Sequence, residues 1–312
     1  MAKNIRDMVR MYGQEYLAVC GLAKYFPTMN SESSVFFVNG TTGNDSAGGF
    51  GQTPDLPLLT ITKALSLCTS GKNDYIFILD YYQATGETFP INIAKSHIHI
   101  IGITNPAVPW PWVVPATDVA TFTFDSYGAY GEIAGLELGA GESHGCIEPI
   151  TAGLWGWHIH DCRFGNTNGA GALHGIFINT NRELLHSLIE NCNFGSLITG
   201  DGINVATGAG PNSVRGTIIR NNIFRVAGIG INVVKTTADF DEGGILNNKF
   251  VLSSDANGKG ITFGTGAVGI VDGNVGMMTD GAAPTSNPFI GGTTMIWGIN
   301  YKGGTALLAA PA

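Results

Sequence analysis

The chain has 312 residues, of which 45 are glycine and 13 % are charged, with a formal net charge of −8. So many glycines with so few charges suit a turn-dense β fold and argue against disorder, while the negative balance argues against a phosphate backbone, so no nucleic-acid partner is expected. Its five cysteines, an odd number, include no C-x-x-C pair, which argues against a disulfide scaffold or a zinc site.

Taken in order, residues 3–26 place Ile5, Met8, Val9, Tyr12, Tyr16, Val19, Cys20 and Ala23 at i, i+3, i+4, i+7 spacing, which predicts a helix with Asn4 as N-cap. Such a helix would cap a following domain, pack against its own copies or dock onto a larger assembly. The opening MAKNIRDMVRMYGQEY is charged where a secretory signal is apolar, and no run of 18 apolar residues follows. The expectation is a chain made in a cytoplasm, without signal peptide or membrane partner. VFFV at 35–38 predicts a strand, a Gly/Asn/Asp/Ser loop leads to Pro57, TITKALSLC at 60–68 predicts a short helix, and 73–104 supplies further strands. PAVPWPWVVPATD at 106–118 is a Pro/Trp-rich excursion whose Trp110 and Trp112 would stack on sugar rings if exposed, or else bury against a flank.

From about 155 to 276 one phrase recurs: WHIHDCRFG, LIENCNFG, IIRNNIFR, ILNNKFV and IVDGNVG. Phe164, Phe194, Phe224 and Phe250 fall in one column, with Val275 after them and Leu138 before. Three places ahead of each Phe stands Asp161, Asn191, Asn221 or Asn247, and two places ahead stands Cys162, Cys192, Asn222 or Asn248. A second phrase interleaves, with Gly145, Gly175, Gly202, Gly230 and Gly260 as its column. Repetition at this period, with two short β phrases and no helical stretch between them, predicts a parallel β-solenoid. Inward Phe and Ile ladders make its core. Asn191, Asn221 and Asn247 are expected to form an amide ladder at a left-handed corner, and the column glycines to mark corners of positive φ. Cys162 and Cys192 should be stacked, buried thiols. After Val275 the pattern ends, so 277–312 reads as an extended apolar C-terminal cap or arm, giving three parts: 1–30, 31–276 and 277–312.

The order over 33–104 resembles the opening segment of the right-handed, pectate-lyase-like parallel β-helix proteins. Gly43, Asn44, Asp45, Gly51, Pro57, Leu58, Thr60, Ile61, Ala64, Leu65, Asp74 and Ile76 carry the resemblance. It implies an all-β fold, a right-handed single-stranded β-helix, to which the spacing over 3–26 adds an N-terminal α-helix ahead of it. That group spans lyases, hydrolases, epimerases and inert phage proteins, so fold alone leaves function open.

Candidate chemistry lies in two columns. His144, His174 and Asp201 precede successive column glycines, where they would ligate a metal, share a proton or simply line a polar corner. His160, Glu190, Arg220 and Leu246 form another, which predicts a Glu190–Arg220 pair across rungs. The clustered carboxylates that the resemblance implies for a lyase are missing, and Asn181 stands where a polygalacturonase-like hydrolase would carry its first Asp. No catalytic residue, metal or cofactor is therefore expected. Together with resemblance to phage β-helix proteins, this points to a non-enzymatic structural protein of a virus particle, capsid-decorating or fibre-like. A homotrimer located in the virion and bound to capsid or another virion protein is the form expected. The alternatives are a tailspike-like polysaccharide depolymerase or lyase using Glu183, Glu190 or Asp201, and a glycan-binding adhesin using Trp110, Trp112 and Trp155.

Overall fold

The computed structural model describes residues 33–307, except 47, 49, 81–85, 104–109, 126–127, 150–152, 166–170, 180–181, 207–213, 234–239, 253–258, 265, 280–283, 285, 292–293 and 304. The helix expected over 3–26 lies outside the described residues.

Each regular coil visits up to four walls. In one coil Leu154–Trp155 lies on a four-stranded corner sheet, His158–His160 on a ten-stranded long sheet, Arg163–Phe164 on a nine-stranded sheet and His174–Ile178 on an eight-stranded sheet. Pairing from coil to coil is parallel, as a solenoid requires, so equivalent residues stack about 4.8 Å apart. The strands alternate side chains inward and outward. On the long sheet the inward row is Phe36, Ile76, Ile100, Ile133, Ile159, Ile189, Ile219, Ile245 and Val271. The rings of Phe164, Phe194, Phe224 and Phe250 stack with centroids 4.5, 4.5 and 5.0 Å apart, and all four are buried. Aromatic pairs in such geometry contribute about 0.5–1.5 kcal/mol each beyond area burial.

Between the long and nine-stranded sheets six successive coils turn through one left-handed residue each. Asp161, Asn191, Asn221 and Asn247 hold φ of 51–57°, and Gly135 and Gly273 do the same at 65° and 69°. The amide ladder itself falls one residue later than expected. Asn222 donates its backbone N–H and its Nδ2 to Asn248 Oδ1, both at 3.0 Å; Asn248 repeats this on Asn274, and Asn274 on Asn300. The two demands of the corner are thus met by neighbours: one residue tolerates positive φ, the next faces inward and satisfies buried backbone groups. Cys162 and Cys192 occupy this inward position in earlier coils, buried as expected. They are unpaired thiols.

The column glycines have a different reason from the one the sequence suggests, since Gly145, Gly175, Gly202, Gly230 and Gly260 are not among the positive-φ residues. Their role is room. A Cβ on Gly175 would lie 2.5 Å from Cδ1 of Phe194 and 2.6 Å from the Gly202 carbonyl oxygen, and one on Gly202 would lie 2.5 Å from Cδ1 of Phe224 and 2.6 Å from the Gly230 carbonyl oxygen. These glycines therefore make room both for the phenylalanine rings and for the backbone of the next coil.

The solenoid also continues past the expected end. Phe289–Ile290, Ile296–Trp297 and Asn300–Lys302 pair in parallel with the preceding coil, after which Thr305–Leu307 turns back antiparallel. Gly276, not Val275, stands opposite Phe250. Phe289 meets the Phe250 ring edge-on at 6.0 Å, so the space of a fifth stacked ring is filled from the opposite wall. That is why the repeating phenylalanine disappears while the coil persists.

At the other end a short helix, Ile61–Leu67, buries Ile61, Ala64 and Leu65 against the core. Thr60 caps it, Asp45 accepts from the Thr60 hydroxyl at 2.6 Å, and Lys95 Nζ reaches the carbonyls of Leu65 and Cys68 at 2.6 and 2.7 Å. Those carbonyls are the ones a helix end leaves unpaired.

The outer face of the long sheet changes character along the axis. Val35, Phe37, Tyr75, Phe77, Ile101 and Ala134 form a second buried apolar cluster there. Histidines and carboxylates follow. Farther along, Ile218, Ile270 and Ile296 stand in one column and are 38 %, 47 % and 67 % exposed.

Candidate functional site on the outer face of the long sheet

In the strand His158–His160 the side chains of His158 and His160 share the outer face, because Ile159 between them points into the core. Register sets Glu132 directly beside His158 on the preceding rung and Glu190 beside His160 on the following one. Side chains lean diagonally, so the bonds cross the register. His160 Nε2 lies 2.7 Å from Glu132 Oε1, and His158 Nε2 lies 2.9 Å from Glu190 Oε1. Glu132 Oε2 meets His99 Nδ1 at 2.7 Å, and His99 stacks on Tyr75 with centroids 4.2 Å apart. At the other end Arg220 Nε donates to Glu190 Oε2 at 2.7 Å, the cross-rung pair that the spacing predicts. His160 Nδ1 binds Asp161 Oδ2 at 2.8 Å, so both of its ring nitrogens are engaged by carboxylates.

These contacts fix the charge states. Burial alone would raise the Glu132 carboxyl, but the hydrogen bonds from His160 and His99 outweigh it and bring it down to about 2. Burial likewise opposes a charged His160, yet Glu132 and Asp161 lift it to about 8. His158 moves the other way: burial and the neighbouring His160 hold it below the usual imidazole value. Burial of Glu190 is outweighed by Arg220 and His158, which keep it ionised.

Around the corner lies a cleft of about 530 Å³ lined by Trp110, Asp161, Arg163, Asn191 and Asn193 among others. The Arg163 guanidinium sits 5.0 Å from the Trp110 ring centroid, and Trp110 Nε1 donates to the Asp161 carbonyl at 3.3 Å. Asn193 Oδ1 is buried there with no hydrogen-bond partner among the described residues. The three tryptophans do not make one platform. Trp112 is half-buried at the start of the nine-stranded sheet beside Glu137, while Trp155 is 40 % exposed on the corner sheet, across the long sheet from the other two.

The column of His144, His174 and Asp201 is broken by a slip of one residue. Gly145, not His144, pairs with His174. His144 Nδ1 instead meets Glu148 Oε2 at 2.9 Å. His174 Nδ1 accepts from the Asp201 backbone N–H at 3.0 Å. Asp201 accepts from the Ile229 N–H at 2.7 Å and from Asn232 Nδ2 at 2.8 Å, so both its oxygens hold corners together. Burial also keeps His174 below its usual value. Glu148, His99 and Glu132 escaped the sequence reading. Setting Leu136 and Leu138 under Cys162 and Phe164 already puts Glu132 under His158, but only the diagonal lean brings it to His160.

Fold and site together define a parallel β-solenoid protein with a histidine–carboxylate network across its long sheet. Residues 41–106, about a fifth of the chain, match the family described as Protein of unknown function (DUF1565). That segment holds Asp45, the helix Ile61–Leu67 and the strands Asp74–Ile78, Ile91–Ile93 and Ile98–Gly102. No curated protein and no solved structure matches the chain.

Proposed function

We propose that the chain is a non-enzymatic structural protein, a right-handed β-helix serving as the rigid display body of a virus particle, capsid-decorating or fibre-like, and working as a homotrimer. The observation that carries this reading is the exposed isoleucine column of Ile218, Ile270 and Ile296 on a flat sheet face. Exposed apolar side chains gathered on a sheet face mark an interface. Ile270 and Ile296 stand on adjacent rungs, with Gly244 between Ile270 and Ile218, and a second copy of the same face would offer isoleucines at the matching strand spacing. The commitment of Glu132, Glu190 and Asp201 to partners supports a body without acid–base turnover, as glycoside hydrolysis needs two positioned carboxyls. The particle assignment rests on resemblance to phage β-helix proteins.

Mass in solution tests the assembly. Wild-type chain is expected as a trimer, and Ile270→Glu/Ile296→Glu as a folded monomer. A monomeric wild type, or a trimer indifferent to both glutamates, would sink the reading. Glycan binding without turnover is the second reading, favoured by the cleft that Trp110 and Asn193 both line, Asn193 Oδ1 having no partner among the described residues. A glycan array on which Trp110→Ala loses signal, with no product released, supports it; a blank array removes it, and released product would restore the depolymerase alternative.

A further inference from the structure

We propose that Glu132, His158 and His160 form a binding site for one divalent late first-row transition-metal ion, of which zinc is the type. Each of the three offers a ligand atom, and those atoms all lie within 4.8 Å of one another. A tetrahedral ion with bonds of about 2.0–2.1 Å holds its donors about 3.3 Å apart. Side-chain rotation of about an ångström therefore closes the set, and the backbone, fixed by two parallel pairings, need not move.

The scaffold suits the task. A His-x-His pair on a strand puts both imidazoles on one face, and the adjacent rung brings the carboxylate alongside. The rings already lie together, with centroids 4.0 Å apart. Each prospective ligand is also held from behind, as metal ligands are. Asp161 Oδ2 holds His160 Nδ1 at 2.8 Å, Glu190 Oε1 holds His158 Nε2 at 2.9 Å, and His99 Nδ1 holds Glu132 Oε2 at 2.7 Å. Two imidazoles and one carboxylate select zinc, nickel, copper or cobalt over calcium and magnesium, which take oxygen shells. Access is one-sided. The His158 side chain is 37 % exposed, whereas those of Glu132 and His160 are 11 % and 12 % exposed, so the ion enters past His158 and keeps water in its remaining position.

On entry the ion takes the place of the proton between His160 Nε2 and Glu132 Oε1, and that proton leaves to solvent. The bound ion then joins two rungs through side chains as the ladder bonds join them through backbone. The proposal is independent of the oligomer, because all three ligands come from one chain.

The test is calorimetric titration of ZnCl2 into full-length chain freed of metal by chelator, with Co2+ absorption as a second readout. The expected result is one ion per chain, a visible d–d band with Co2+, and a rise in Tm on adding Zn2+. Binding should weaken at least about tenfold in His158→Gln and in Glu132→Gln, and about tenfold in Asp161→Asn, which takes away the charge of the acceptor behind His160. His186→Gln, at an exposed histidine in another part of the coil, should bind like wild type. His158 is the most exposed ligand, so its variant remains informative if a Glu132 variant does not fold. Absence of saturable binding overturns the proposal, and so does equal affinity in wild type and His158→Gln, which would place the ion elsewhere.

Discussion

At Glu132 burial and partnership pull in opposite directions, and partnership prevails because two imidazoles converge on one carboxylate. The consequence is a stability that depends on pH at both ends. Glu132 has its pKa depressed to about 2 from an ordinary 4.5, so its contribution is present above 4.5 and is lost as pH falls through about 2. His160 is raised to about 8 from 6.5, so its contribution is full below 6.5 and is lost as pH rises through about 8. With metal chelated, this network is strongest between those limits, and the alkaline loss amounts to about 2 kcal/mol. Denaturant midpoints measured from pH 6 to 9 should fall in wild type and stay nearly flat in His160→Gln. A wild-type midpoint that does not fall on that limb would show that the His160 shift is not coupled to folding.

Among elements, the matched columns are where sequence was most informative. Phe164, Phe194, Phe224 and Phe250 were legible as a stack because spacing alone aligns them, and the inward isoleucines follow from alternation. What spacing does not carry is the reason for a residue. Asn191, Asn221 and Asn247 look like the amide ladder, yet they serve the left-handed corner, while Asn222, Asn248 and Asn274 beside them make the bonds. Gly202 looks like a positive-φ corner, yet it makes space for Phe224. That distinction is testable. Gly202→Ala should destabilise by about 1–3 kcal/mol through overpacking. Phe224→Leu added to it should recover part of the loss, giving a favourable coupling in a double-mutant cycle. Strict additivity would assign the cost to the Gly230 carbonyl oxygen, 2.6 Å from the same Cβ, and not to the ring. The histidine network was legible only in part, because His-x-His and the Glu190–Arg220 pair follow from register whereas the diagonal lean of Glu132 onto His160 depends on rotamers.

For the whole molecule, the last coil decides whether the core is closed. The sequence reading stopped at 276 because the phenylalanine column stopped there, and a change in which wall fills the core is invisible to a one-column alignment. Phe289 covers Phe250, and Asn300 completes the bonds of Asn274. Removing residues 289–312 would therefore bare an apolar rung and strand the Asn274 backbone N–H. The expected product keeps its β-sheet circular dichroism but binds a hydrophobic dye and associates end to end, visible as growth in light scattering. A truncated chain as soluble and dye-silent as the full one would mean that the terminal coil contributes nothing to closure.

The amide ladder has a further implication for how such a chain can change its length. From Asn222 to Asn274 each link makes the same bonds to the link beyond it, so the amide ladder, unlike the side-chain columns beside it, repeats unchanged from rung to rung. A tandem copy of residues 222–247, inserted in frame, would present the same acceptors to the coil below and the same donors to the coil above. It would be read as one more rung, about 4.8 Å of added height. Gene duplication within this stretch is thus a silent operation on the fold and an audible one on reach, which makes the length of the solenoid a quantity that selection can adjust in unit steps.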